Sequence, residues 1–88
     1  MNKDWDDFLD FLRASVEEIY SVQLKSKTGN MIINKVTDVT LKKQIVVFEA
    51  KDLSSIKILR SDFRGFSFDS FSCTIYCKNA TIAIDLGV

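Results

Sequence analysis

The sequence predicts a small, mainly β domain with one N-terminal helix, its short strands curled into a closed barrel. Three observations carry that expectation. An apolar stripe at three- and four-residue spacing runs to about residue 20 and stops, which is helical periodicity. From Val22 onward, apolar and polar residues alternate instead, the period of a half-buried strand. Turn-forming residues then recur at intervals of about ten, the spacing of small barrels. Closure removes the edges that so many Ile, Val and Phe would otherwise expose.

The helix is expected over residues 4–20. Trp5, Phe8, Leu9, Leu12, Val16 and Ile19 share one face, with Asp6, Asp10, Arg13 and Glu17 opposite. Asn2 or Asp4 is placed to cap it, and the acidic first turn suits the positive end of the helix dipole. Its apolar stripe is expected to pack on a sheet and plug one open end of the barrel. A membrane-surface role fits poorly, because the acidic polar face is repelled by anionic lipid.

A first strand follows with Val22 and Leu24 pointing one way and Gln23, Lys25 and Lys27 the other, ending at the turn before Gly29. Residues 31–41 read as a long second strand and 44–51 as a third, joined by the polar loop Lys42-Lys43-Gln44. After a turn over 52–55, residues 56–60 form a fourth strand. Ser61-Asp62 makes a short corner, and Phe66 and Phe68, with Phe71 as a further candidate, begin a fifth strand. In 72–86 the alternation returns around a Lys78-Asn79 turn and reads as an extra hairpin or a continuation of the fifth strand. The domain layout is therefore one unit over 1–88: helix to residue 21, five-stranded barrel over 22–68, β extension over 69–88.

Composition bounds the function. A chain of 88 residues holds one domain and lies near the lower limit for an adequate core. With 47% hydrophobic residues and seven Phe, it packs tightly or takes apolar surface into an interface. Twelve basic and twelve acidic residues cancel, so any nucleic-acid contact must be local. The absence of His removes the commonest general base and metal ligand. Cys73 and Cys77, four apart on a strand, stand about 13 Å from each other, beyond disulfide reach. Two Cys without His do not make a zinc site. They read as small buried apolar residues in a reducing cytoplasm. There is no Gly-rich phosphate loop, no secretory h-region and no 18-residue apolar span. An enzyme, a cofactor, a small-molecule substrate and a membrane partner are all disfavoured.

The residues also carry a likeness to a known family. Gly29, Asn34, Val36, Val39, Thr40 and Gln44, followed by Ile45-Val46-Val47, stand without a gap on the first motif of the Sm-like proteins. That motif has a turn Gly, a second Gly, an apolar residue, then apolar-Asp-x-x-x-Asn and a strand. The family's second Gly, its Asp and its Asn are here Asn34, Thr40 and Gln44. The run from Ile56 to Leu59, then Arg60-Ser61-Asp62-Phe63, resembles the second motif, an apolar strand ending in Arg-Gly. Asp7-Phe8-Leu9 with Leu12-Arg13 resembles the N-terminal helix of the Hfq-type RNA chaperones. The likeness spans about residues 5–68.

It implies a five-stranded SH3-type barrel in a ring of five to seven identical subunits, the fourth strand of one pairing with the fifth of the next. Ile56, Ile58, Phe66 and Phe68 then either line that interface or serve only the core. It also implies single-stranded RNA at the pore, with Lys42 in the stacking place, Gln44 as the base-reading amide and Arg60 as the capping cation. Thr40, Lys43, Ser61 and Asp62 stand beside them. The plainer alternative makes Lys42-Lys43 a solvated turn and pairs Arg60 with Asp62 or Asp38. In functional terms the expectation is a non-catalytic RNA-binding ring. The alternative is a ring or barrel scaffold that binds protein, of the size phages encode, with its C-terminal segment as the contact surface.

Overall fold

The structure, a computed structural model, describes residues 4–87. Helix α1, Trp5–Ser15, begins where the extended Asp4 accepts the Asp7 N–H on its carboxylate at 2.9 Å. That satisfies one of the donors a helix start leaves open. Asn2, the other candidate cap, lies outside the described residues. A 3-10 turn, Val16–Glu18, ends the helix. Ile19 and Tyr20, expected as its last residues, instead open a strand, because Ile19 pairs with Leu86 across the sheet.

Eight strands follow: β1 Ile19–Ser26, β2 Gly29–Ile33, β3 Asp38–Leu41, β4 Ile45–Glu49, β5 Ser55–Leu59, β6 Phe63–Phe68, β7 Ser72–Cys77 and β8 Ala80–Leu86. They form two antiparallel sheets, one in the order β2-β1-β8-β7-β6 and one in the order β3-β4-β5. Mainly β with one N-terminal helix is therefore correct, whereas the closed five-stranded barrel is not what the chain builds. Closing such a barrel needs the fifth strand, here β6, to return to the first. β1 already pairs with β2 on one edge and β8 on the other, and the C-terminal hairpin fills the space between. Residues 72–86 thus form a true hairpin in the middle of the sheet.

The long strand expected over 31–41 is also divided. β2 belongs to one sheet and β3 to the other. Between them the Val36 N–H donates to the Tyr20 carbonyl and the Thr37 N–H to the Glu49 carbonyl, both at 2.9 Å, so consecutive residues bond to different sheets. At the other junction, the corner Arg60–Asp62 is a single 3-10 turn between β5 and β6.

Both inner faces meet in one core. Val22, Ile33, Val46, Phe48, Ile58, Ile75, Ile82 and Ile84 are essentially inaccessible. Helix α1 bridges the two sheets beside β6. Phe8 stacks on Phe63 with ring centroids 5.2 Å apart and meets Phe66 at 5.4 Å, while Trp5 meets Phe63 edge-on at 5.3 Å. Such pairs add about 0.5–1.5 kcal/mol beyond the area they bury. No described helix is long and apolar enough to cross a membrane.

Candidate nucleic-acid interface

The polar residues between β3 and β4 are held by the main chain and by the helix. The Lys42 N–H closes the turn on the Ile45 carbonyl at 3.0 Å. The Trp5 indole N–H donates to the Lys43 carbonyl at 2.8 Å, so helix packing fixes the turn. The Gln44 carbonyl accepts the Arg60 N–H at 2.9 Å, which joins this turn to the β5–β6 corner. The corner is held in its turn by Arg64, whose guanidinium donates to the Ser61 and Phe63 carbonyls at 3.1 and 3.2 Å.

Lys42, Lys43, Gln44, Arg60 and Ser61 are exposed together at this end, with Asp62 half-buried beside them. Thr40 lies lower, half-buried in β3 opposite Val47. Pairing of Arg60 with Asp38 is ruled out, since Asp38 begins β3 at its far end, opposite Glu49. Among the described residues the ion pair is Arg13 with Asp10, 3.0 Å apart and exposed. The helix start brings Asp4, Asp6 and Asp7, all exposed, to the Lys43 side of the rim. Ile56, Ile58 and Phe66 are buried in the chain's own core, and Phe68 is half-exposed. The strands that carry them, β5 and β6, are outer strands of their sheets.

Strand order adds residues that sequence reasoning did not single out. The Lys78 N–H donates to the Asp62 carbonyl at 2.8 Å, and Ser26 at the end of β1 stands opposite Ala80. The β7–β8 and β1–β2 turns, with Lys78, Lys27 and Lys25, therefore continue the row begun by Lys42 and Arg60. The local signal was present, since each of these lysines flanks a turn. Which turns share an end depends on pairings dozens of residues apart.

Burial pushes the Cys73 thiol up to about 12 and the Cys77 thiol up to about 11. For Cys77 the nearby Asp62 charge adds to the rise and Arg64 opposes it. Both are free and protonated at neutral pH, so neither is a nucleophile. No three metal-ligating side chains come together among the described residues. Comparison with protein-family models, with curated proteins and with solved structures finds no match.

Proposed function

We propose that this chain is a non-catalytic, ring-forming, Sm-like protein of the cytoplasm that binds single-stranded RNA on the end of the molecule carrying Lys42, Lys43, Gln44 and Arg60. The observation that carries the reading is the 2.9 Å bond from the Arg60 N–H to the Gln44 carbonyl. It brings the exposed Gln44 beside Arg60 and the neighbouring Lys42 and Lys43, and an amide with cations is the kind of set that can hold phosphate and read a base edge. Ring formation is supported by the position of β5 and β6 as outer strands joined by one short corner. Edge strands present backbone groups that another copy can pair with. Repetition around a ring multiplies the local positive potential although the chain is neutral. The free thiols suit a reducing compartment.

Titration of labelled U-rich and A-rich oligonucleotides tests the RNA claim. Binding should weaken with salt, and Lys42→Ala or Arg60→Ala should each lower the log–log salt slope by about 0.7 to 1. If neither substitution matters, the claim fails. Native mass should be five to seven times the 10.0 kDa chain, and a monomer at micromolar concentration rules out the ring. A protein-binding scaffold is the second reading. It is favoured by Phe71, 67% exposed in the β6–β7 turn at the opposite end, since exposed aromatics serve protein interfaces.

A further inference from the structure

Backbone hydrogen bonds tie four turns into one row across this end of the molecule. The Gln44 carbonyl accepts from the Arg60 N–H, the Asp62 carbonyl accepts from the Lys78 N–H, and the start of β8 pairs with the end of β1. The far part of the row is an open cleft of about 470 Å³ between the β1–β2 and β7–β8 turns. Lys25, Lys27 and Lys78 line it with Ser26, Asn79 and Thr81, and no acidic side chain is among its lining residues. All three lysines are exposed. The helix start, with its carboxylates, is bonded to Lys43 at the other end of the row.

Beside the cleft, one register row crosses the outer face of the large sheet. Lys25 faces Thr81, Thr81 faces Tyr76, and Tyr76 faces Gly65. Tyr76 is 48% exposed, and no side chain stands opposite it on β6. A ring in that setting offers a stacking surface about two strand spacings, or roughly 10 Å, from Lys25. An aromatic platform next to clustered cations is how proteins hold single-stranded nucleic acid without reading its sequence.

We infer that the RNA path extends past Arg60 into this cleft, its phosphates held by Lys78, Lys27 and Lys25 and one base stacked on Tyr76. The inference rests on the RNA reading above for its ligand, and on the β7–β8 hairpin for its site. From β6 to β1 is three strand spacings, about 14 Å. A strand must therefore be several nucleotides long to touch both the Lys42–Arg60 rim and the cleft.

The test compares a 4-nucleotide and a 12-nucleotide U-rich oligomer on the full chain, by fluorescence polarisation across a salt series. Replacing Lys25, Lys27 and Lys78 together by Ala should lower the 12-mer's log–log salt slope by about 2, since each phosphate left without its lysine takes away roughly 0.7. The 4-mer, satisfied at the rim, should bind as before. Tyr76→Ala should weaken the 12-mer about fivefold or more, and Tyr76→Phe should restore it. If both oligomers bind the unaltered chain and the triple variant keeps its slope, the extended path is overturned while the rim stands. If neither oligomer binds the unaltered chain, the RNA reading falls and takes the path with it. Equal weakening of both oligomers in the triple variant, with unchanged circular dichroism, also overturns the path, because the cleft would then not be separable from the rim.

Discussion

The two ends of the strands close their turns by different means. At the end holding the β4–β5 and β6–β7 turns, carboxylates reinforce the main-chain bonds from Ala50 to Ser54, Leu53 to Ala50 and Asp69 to Ser72. Asp52 accepts the Ser54 N–H at 3.0 Å, and Asp69 accepts the Phe71 and Ser72 N–H groups at 2.8 and 2.9 Å. At the other end the closures are main-chain bonds at Lys42, Arg60 and Lys78, the Ser26 hydroxyl donating to the Gly29 carbonyl at 2.7 Å, and the Arg64 guanidinium on the Ser61 and Phe63 carbonyls. Gly29 itself has a φ of 146°, which glycine adopts without strain. A charge that closes a turn is committed to the fold. The rim lysines and Arg60 are exposed, and their side chains take no part in closing the turns they sit on, so substituting them should separate binding from stability.

That separation can be broken first by the largest effect. Phe8 is fully buried and meets Trp5, Phe63 and Phe66, so Phe8→Ala should cost about 3–5 kcal/mol of unfolding free energy by denaturant titration. Lys42→Ala or Arg60→Ala should stay within about 0.5 kcal/mol of the parent. A rim variant that unfolds the chain would show the cations to be structural after all.

A smaller effect sharpens the picture of the carboxylate end. Leu53 is 89% exposed with φ of 72°, a left-handed conformation that strains a branched side chain. Leu53→Gly should therefore stabilise the fold by about 0.5–1 kcal/mol, read as a raised melting temperature. No gain would mean that the β4–β5 turn relaxes in solution.

Smallest is the pH response. Backbone N–H donors, from Ser54 to Asp52 and from Phe71 and Ser72 to Asp69, hold both carboxyls below their ordinary 3.8. A depressed folded value means stability that is present above about pH 3.8 and lost as pH falls through the lowered value. Asp69→Ala should then flatten the acid limb of melting temperature against pH below about 4. An unchanged limb would mean that Asp69 gains no charge-stabilising bonds on folding.

Much of the fold was legible because its signals are local. Trp5, Phe8 and Leu12 gave the helix by spacing, and Ser61-Asp62 gave the corner. The alternation of Cys73 and Ile75 with Thr74 and Tyr76 gave β structure after residue 72, and the β7–β8 pairing decides for the hairpin over a continued fifth strand. What was not legible depends on distant pairing. Period two runs on through a corner, so the division between β2 and β3 was hidden. Its one trace is that Ile33, Val36 and Val39 turn inward at intervals of three, which no continuous strand allows. The insertion of β7 and β8 beside β1 joins Ile19 to Leu86, and nothing in either segment names the other. At the site, Lys42, Gln44 and Arg60 were found from motif register, whereas Lys25, Lys27, Lys78 and Tyr76 needed the strand order.

The central claim is that cations at one end of the strands bind RNA because of where they stand, not because of total charge. Lys42→Ala/Arg60→Ala removes two positive charges from the rim. Lys35→Ala/Lys51→Ala removes two from the exposed turns at the opposite end. Titrating one labelled 12-mer against both variants at equal salt should show binding abolished or strongly weakened in the first and retained in the second. Equal weakening in both, or a greater effect from Lys35 and Lys51, would contradict the account.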